Sequence, residues 1–386
     1  MSKVEDRMRV VIVVSELGFG GAERQTLDLL GQLRGTPWAP VGVICLSSNV
    51  GRHGDAVRAL GYSLTVVPRV SGFDVGRILA LRRQLRQQAV DVVHAVNWFA
   101  SGYAVLAKPR GARVISSIRN SHLPAGALRR MALTRLVRRS DGVLVNSERG
   151  RQLVMDACRV PAARITLAPN GIDVDRLRAS AVPGALRREL RIPTHAPVVL
   201  YVGRNARVKN IPRLLEVVRL LLRSSSDLRI VLAGDGLGPE LVAGTPLAAE
   251  ARLSCLGPRD DVPSLLCDAT VLVLTSDNEG MPNVVLEALV SGLPVVATDV
   301  GDLARMVPPG CGWLVPREAP ALTSAILRVI ADAADYRRNT EEHATSLVAT
   351  WSSQAMANRT VDLWRRVAQD VVQAETRRAA PLDPVH

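Results

Sequence analysis

Lysine is almost missing from this chain of 386 residues. Only Lys3, Lys108 and Lys209 occur, and the other 46 basic residues are arginine. Aromatic residues make up 3%, too few for the stacking platforms on which single strands of nucleic acid lie, and no nucleic-acid motif appears. No nucleic-acid partner is therefore expected. The five cysteines, Cys45, Cys158, Cys255, Cys267 and Cys311, are odd in number and scattered. No two have metal-ligand spacing, which argues against a zinc site and a disulfide framework alike. They read as buried thiols in a reducing compartment, the cytoplasm. No apolar run approaches the roughly 20 residues needed to span a bilayer. The segment Met1–Arg7 is charged, lacks the apolar core of a secretion signal, and leads straight into a strand after Met8. It reads as a dispensable extension.

Apolar residues make up 47% of the chain, enough for two cores at the usual domain size of about 100–200 residues. Net charge is +13 and uneven: residues 1–195 hold 30 Lys and Arg against 14 Asp and Glu, whereas residues 196–386 hold 19 against 22. A basic first half beside a near-neutral second half suggests that the first domain meets an anionic partner, such as anionic lipid or a phosphorylated acceptor. Short β-branched runs alternate with longer helical patterns. Val10–Ser15, Val41–Leu46, Leu64–Val67, Val92–Ala95, Val114–Ile118 and Gly142–Asn146 form one series of buried strands. Val198–Val202, Arg229–Ala233, Ser254–Leu256, Val271–Thr275 and Pro294–Thr298 form a second. This rhythm predicts an α/β chain of two doubly wound parallel sheets, with ligands in a cleft at the carboxyl ends of the strands. The turn and proline signals around residues 170–197 place the joint there. The expected division is an acceptor-side domain over residues 1–175, a donor-binding domain over 176–350, and a helical tail over 351–386 that packs back on the first domain.

The most informative segment follows the strand at Val271–Thr275. It runs Glu279-Gly280-Met281-Pro282-Asn283 and reaches Glu287 within a helix expected over Asn283–Ser291. Pro282 suits a first helical turn, where its missing N–H costs nothing, and Gly292 suits the stop. The free N–H groups and dipole of that helix start favour an anion. Glu279 and Glu287 are better suited to accepting hydrogen bonds from sugar or ribose hydroxyls. A second segment, Gly203-Arg204 with Lys209-Asn210, follows the strand at Val198–Val202. Arginine offers a planar fork to phosphate and lysine a movable point charge; together they suit the charge developing on a departing diphosphate. A third turn, Gly18-Phe19-Gly20-Gly21-Ala22-Glu23, permits close backbone approach. Glu23 stands where a dinucleotide fingerprint needs its third glycine, so a nicotinamide reading is rejected.

These segments together resemble the retaining glycosyltransferases of family 4, which have the two-domain GT-B fold. The resemblance covers nearly the whole chain. It rests on Gly20-Gly21-Ala22-Glu23, Asp91-Val92-Val93-His94, the stretch Ser140 to Ser147, Pro169-Asn170-Gly171-Ile172-Asp173, Gly203-Arg204, Lys209-Asn210, Gly234-Asp235-Gly236 and the E-x7-E pattern from Glu279 to Glu287. It implies that Arg204, Lys209 and Glu279 carry the chemistry on a nucleotide-diphosphate sugar (UDP- or GDP-linked), and that Gly203, the backbone of Gly280–Asn283 and Glu287 bind that donor. It implies retention of the anomeric configuration, no metal, and no cofactor beyond the donor itself. Gly20 and Gly21 would line the acceptor side. The family's usual histidine after the fifth strand is replaced by Arg119, with His94 before it and His122 after it; which of the three meets the sugar stays open.

Asp173 and Asp175 imitate a metal-binding carboxylate pair, but their place in the joint suggests a helix cap. Arg129–Arg139 is a short basic amphipathic helix, and Arg77, Arg82, Arg83 and Arg86 form another basic cluster. Attraction to anionic lipid headgroups would place a cytoplasmic enzyme peripherally on the inner membrane face, with a glycan, lipid-linked or exopolysaccharide acceptor. Two rival readings remain: a two-domain nucleotide-sugar epimerase, and a non-enzymatic basic protein that binds lipid or polymer.

Overall fold

The computed structural model describes residues 8–18, 20–68, 74–119 and 122–379, with side chains to 369. The expected N-terminal extension, residues 1–7, lies outside the described residues. The chain divides into two compact units, Met1–Gly171 with Ser353–His386, and Ile172–Ser352. Residues 172–175, expected to close the first domain, thus belong to the second unit. So do Trp351 and Ser352, expected in the tail: the Ile172 amide donates to the Trp351 carbonyl at 2.9 Å.

The first unit is built on seven parallel strands in the order β3-β2-β1-β4-β5-β6-β7. They span Val10–Val14 (β1), Gly42–Cys45 (β2), Leu64–Val66 (β3), Val92–Val96 (β4), Arg113–Ile118 (β5), Gly142–Val145 (β6) and Ile165–Leu167 (β7). Strands buried on both faces read as unbroken apolar runs, and β1, Val-Val-Ile-Val-Val, is buried throughout. The helix Ser353–Ala379 completes this unit: Met356, Leu363, Trp364 and Val367 share a core with Val10, Ile12 and Leu30. Gly142 permits its approach, because a Cβ there would sit 3.0 Å from Val367 and 3.1 Å from Leu363.

The second unit has six parallel strands in the order β10-β9-β8-β11-β12-β13. They span Val198–Val202 (β8), Arg229–Ala233 (β9), Leu253–Cys255 (β10), Val271–Leu274 (β11), Val295–Thr298 (β12) and Gly312–Val315 (β13). In each sheet the strand order reverses once, between β1 and β4 and between β8 and β11. Doubly wound sheets bind ligands at that reversal, outside the carboxyl ends of the strands.

Two strands, β7 and β13, were absent from the expected series. Both are edge strands with partly exposed residues, as are β3 and β10, which were expected. Of the cysteines, Cys45, Cys158 and Cys311 are buried as expected, but Cys255 and Cys267 are partly exposed; all five are free thiols.

Candidate active site

In the second unit, the two loops flanking the strand-order reversal are the two segments singled out by sequence. They are stitched together through main chain and side chain. The amide of Asp277 donates to the Val208 carbonyl at 2.8 Å, and the Thr275 hydroxyl donates to the Lys209 carbonyl at 2.9 Å. Asn210 adopts a left-handed backbone, φ 49°, and its side chain caps the helix Ile211–Ser224 by accepting from the Arg213 amide. The same side chain donates to Asp277 at 2.9 Å, while Arg213 reaches Asp277 at 2.7 Å and the Thr275 carbonyl at 2.8 Å. Burial alone would raise the Asp277 carboxyl, but the hydrogen bonds from Arg213 and Asn210 outweigh it and hold the group below its ordinary value.

This stitching brings Lys209 against Glu279, with Nζ 2.6 Å from Oε1. The Ser276 hydroxyl donates to the same carboxylate oxygen at 2.5 Å. Both charged side chains are largely withdrawn from solvent, at 18% and 11% exposure, so their attraction is screened less than that of a surface pair. Arg204 is exposed at the head of the same loop, and its side chain makes no hydrogen bond or ion pair among the described residues. Beneath them, Tyr201 on β8 is buried with its hydroxyl unpartnered. Burial, and secondarily the charge of Glu279, pushes its phenol above the ordinary value.

Glycines set how closely the loops pack. The Gly203 amide donates to the Ala233 carbonyl at 2.9 Å. Gly234, at φ 139°, could carry no Cβ, because that atom would lie 1.8 Å from the Gly203 carbonyl oxygen. Gly301 backs the Glu279–Gly280 main chain in the same way: its Cβ would lie 2.1 Å from the Glu279 carbonyl oxygen.

The helix after Glu279 spans Asn283–Val290 and ends before Gly292, at φ 73°. Pro282 is its N-cap, with an extended backbone at φ −70°, ψ 122°, and not a member of the first turn as expected. The chain enters the helix only after it. Met281, named with the donor-binding residues, sends its side chain into the hydrophobic core, leaving its main chain for any ligand. Asn283 and Glu287, four residues apart and so on one helix face, are half-buried.

In the first unit the expected acceptor-side residues separate. Gly20 caps the helix Gly21–Leu33 with an extended backbone; it is half-buried and Gly21 is exposed. His94 lies in mid-β4, fully buried, where its Nδ1 accepts from the indole N–H of Trp364 at 3.2 Å. Burial, then the charge of Arg119, lowers its pKa to about 3. That places His94 in the core, out of a ligand's reach. Arg119 is also buried and donates to the Asn170 side-chain oxygen at 3.1 Å. Burial lowers it to about 10, against the opposing pull of Asp28 and Glu23. His122 is exposed and lines a cavity with Ser15, Asn97 and Arg129. Asp173, the apparent metal ligand, caps the short helix Val174–Ala179 by accepting from the Arg176 amide.

Sequence reasoning missed Ser276, Asp277 and Tyr201. Asn210, followed by Ile-Pro, carried a readable helix-start signal; the others act through tertiary contacts with no local signature.

Comparison with known proteins agrees with this architecture. The family model described as Glycosyltransferase Family 4 matches residues 19–176, and that described as Glycosyl transferases group 1 matches residues 196–332. A D-inositol 3-phosphate glycosyltransferase of Corynebacterium jeikeium is 30% identical over 77% of this chain and 77% of its own length. One from Corynebacterium glutamicum is 27% identical over 80% and 79%. Among solved structures, Anabaena HepE in complex with UDP superposes with a TM-score of 0.79 at 18% identity, covering 93% of this chain and all of that one; it shares the fold. A chain with two such sheets and these matches is a transferase, in place of an epimerase or a lipid-binding protein, and it belongs to glycosyltransferase family 4, with the GT-B fold.

Proposed function

We propose that the protein transfers a sugar from a nucleotide-diphosphate sugar, UDP- or GDP-linked, to a hydroxyl of an anionic glycan precursor, lipid-linked or destined for the cell envelope, with retention and without a metal. The observation that carries this reading is the meeting of Lys209 and Glu279 at the strand-order reversal of the second unit, 2.6 Å apart. Without donor each charge satisfies the other. With donor bound, Lys209 and Arg204 turn to the diphosphate, and Glu279 accepts hydrogen bonds from the sugar. Asn283 and the start of its helix face the distal phosphate, where the helix dipole favours an anion, and Glu287 takes the ribose hydroxyls. The acceptor oxygen forms its bond to the anomeric carbon as the bond to the diphosphate oxygen breaks. The acceptor proton passes to the departing phosphate, and the two cations offset the charge left there.

Support for a nucleotide-sugar donor comes from the UDP bound to HepE. Support for an anionic acceptor comes from the basic first half and from the inositol 3-phosphate in the relatives' names. We place the enzyme in the cytoplasm, peripherally on the inner membrane face. No helix among the described residues is long and apolar enough to cross a membrane. The helix Ala127–Arg138 exposes Leu128 at 79% and Met131 at 44% beside Arg129 and Arg130, a pairing of apolar and basic groups that suits an anionic lipid surface.

A thermal-shift screen of nucleotides and nucleotide sugars, with and without chelator, tests donor and metal together. A ligand at a hundred times its Kd adds about 2.7 kcal/mol to stability. Stabilisation by one nucleoside diphosphate and its sugar, unchanged by chelator, is expected. No response to any nucleotide would sink the reading, and inversion at the product's anomeric carbon by NMR would sink its stereochemistry.

A further inference from the structure

The carboxyl end of the helix Asn283–Val290 lines a cavity of about 280 Å³ whose walls belong to the second unit alone. We propose that this cavity is an effector site for a small zwitterion, a molecule with an ammonium group at one end and a phosphate or carboxylate at the other. The ligand's chemistry is read from the cavity itself. Its effect on the enzyme rests on the donor reading of Asn283 and Glu287.

Three observations carry it. The first is a set of acceptors without donors. The helix ends at Val290, and Pro294 has no N–H with which to take up the Val290 carbonyl one turn later. Neither that carbonyl nor the Ser291 carbonyl accepts a hydrogen bond among the described residues. Glu341, on the helix Ala333–Trp351, lines the same cavity. Its carboxylate lies against the helix end: a Cβ on Gly292 would sit 2.6 Å from the Glu341 Cγ and 3.0 Å from Oε1. A helix bears partial negative charge at this end and is stabilised there by cations. The Glu341 carboxylate has the opposite sign to that preference, and it forms no ion pair among the described residues. An ammonium group, which only donates, answers both the carbonyls and the carboxylate. Glu341 is the only carboxylate in the lining, too few for the oxygen cage of a divalent cation.

The second observation is a cation from another helix. Arg178, on the helix Val174–Ala179, lines the same cavity and makes no hydrogen bond or ion pair among the described residues, not even with Glu341. A guanidinium takes phosphate or carboxylate in its planar fork. Opposite charges that share a cavity without meeting suit a molecule that carries both. Arg178 and Glu341 are exposed, so the cavity is open to such a ligand. Its volume is near the lower end of ligand pockets, about 300–1,000 Å³, which suits a molecule of a few carbons. The third observation is a mechanical link. The Ser291 amide donates to the Glu287 carbonyl at 3.2 Å. Asn283, Glu287 and the cavity wall thus share one helix of eight residues, about 12 Å long. A ligand that draws on its last carbonyls acts on the element that holds the donor-facing residues.

Isothermal titration of the full chain tests the site, with O-phosphoethanolamine and β-alanine as probes. Binding of one or both is expected, and the tighter of the two tells phosphate from carboxylate at the Arg178 end. The N-trimethyl form of that probe keeps the positive charge and has no N–H, so it should bind roughly tenfold or more weakly. Glu341→Gln and Arg178→Gln, both changes of exposed side chains, should each weaken the probe roughly tenfold or more, as loss of a charge-assisted hydrogen bond does. Without probe, Glu341→Gln should raise the unfolding midpoint, because it removes a carboxylate from the negative end of a helix. With probe at saturation, the Kd of UDP should change about fivefold or more, and UDP should change the probe's Kd by the same factor, since coupling between sites is reciprocal. The proposal is overturned if neither probe binds, if either variant or the N-trimethyl form binds as the parent pair does, if Glu341→Gln lowers the midpoint, or if UDP binds equally with and without probe. Failure of UDP to bind the parent without probe would count against the donor reading, while the probe titrations would still decide the cavity.

Discussion

Lys209 and Glu279, 70 residues apart in sequence, form an ion pair at 2.6 Å, with the Ser276 hydroxyl on the same carboxylate oxygen. Each is the other's partner in the ligand-free chain, so a diphosphate must compete with Glu279 for the ammonium group. Removing the ammonium should therefore discriminate among nucleotides. Lys209→Met is expected to weaken a nucleoside diphosphate more than the corresponding monophosphate and to lower turnover by roughly a hundredfold or more. Equal loss of both nucleotides in a titration would show that Lys209 does not address the phosphates. Ser276→Ala is a milder probe. It removes one hydrogen bond to a charged group, about 1.5–3 kcal/mol, and should lower turnover with nucleotide affinity retained.

The loop junction beneath that pair depends on Gly234. Its backbone angle is φ 139°, and a Cβ at this position would approach the Gly203 carbonyl oxygen to 1.8 Å, which leaves no room for any other residue. Gly234→Ala must shift the main chain of Gly203, and with it the loop to Arg204 and Lys209. The strained backbone alone costs on the order of 1–3 kcal/mol. Loss of nucleotide binding with a lowered unfolding midpoint is the expected outcome; a variant that binds UDP normally contradicts the account of this junction.

How much of this was legible beforehand follows from where each signal sits. β1 carries its burial in five consecutive residues and β8 in four, so their positions were plain. β7 and β13 are edge strands whose mixed burial left no such run, but so are β3 and β10, which were expected. The segments at Gly203–Lys209 and Glu279–Glu287 were visible because cations, carboxylates and helix-start residues are local. That Lys209 would grip Glu279 was not, because the contact is made by the stitching of Asn210, Arg213 and Asp277. His94 shows the reverse limit. A histidine beside a strand end looks like a site residue, and only the partner supplied by Trp364, 270 residues later, reveals a core residue.

Gln25 on the helix Gly21–Leu33 is buried and holds both sides of one residue. Its amide nitrogen donates to the Gly171 carbonyl at 2.8 Å, and its oxygen accepts from the Gly171 amide at 2.7 Å. Gly171 is the last residue of the first unit before Ile172. Gln25→Ala leaves two buried backbone groups unpaired, at about 1–3 kcal/mol each. Gln25→Glu keeps the acceptor but sets a buried carboxylate against the Gly171 carbonyl and beside Asp28. Urea unfolding should place both variants below the parent; an Ala variant as stable as the parent would refute the clamp.

His94 links stability to acidity. Its folded pKa is about 3, whereas an unfolded histidine titrates near 6.5. Above about pH 6.5 neither state is protonated there, and the group has no effect. As pH falls below that value the unfolded chain takes up a proton that the folded chain refuses. The fold then loses up to roughly 1.4 kcal/mol per pH unit from this group, until pH approaches the folded pKa. Two contributions set the depression, burial first and then the Arg119 guanidinium. His94→Gln cannot protonate and can still accept from the Trp364 indole. It should be less stable than the parent at neutral pH, because the ring's packing is lost, yet its stability should fall less steeply between pH 6.5 and the folded value near 3. Denaturant unfolding of both proteins across that range measures the difference in slope directly. Parallel curves would mean that His94 is already protonated in the folded chain, and that the indole of Trp364 does not hold its Nδ1 as an acceptor.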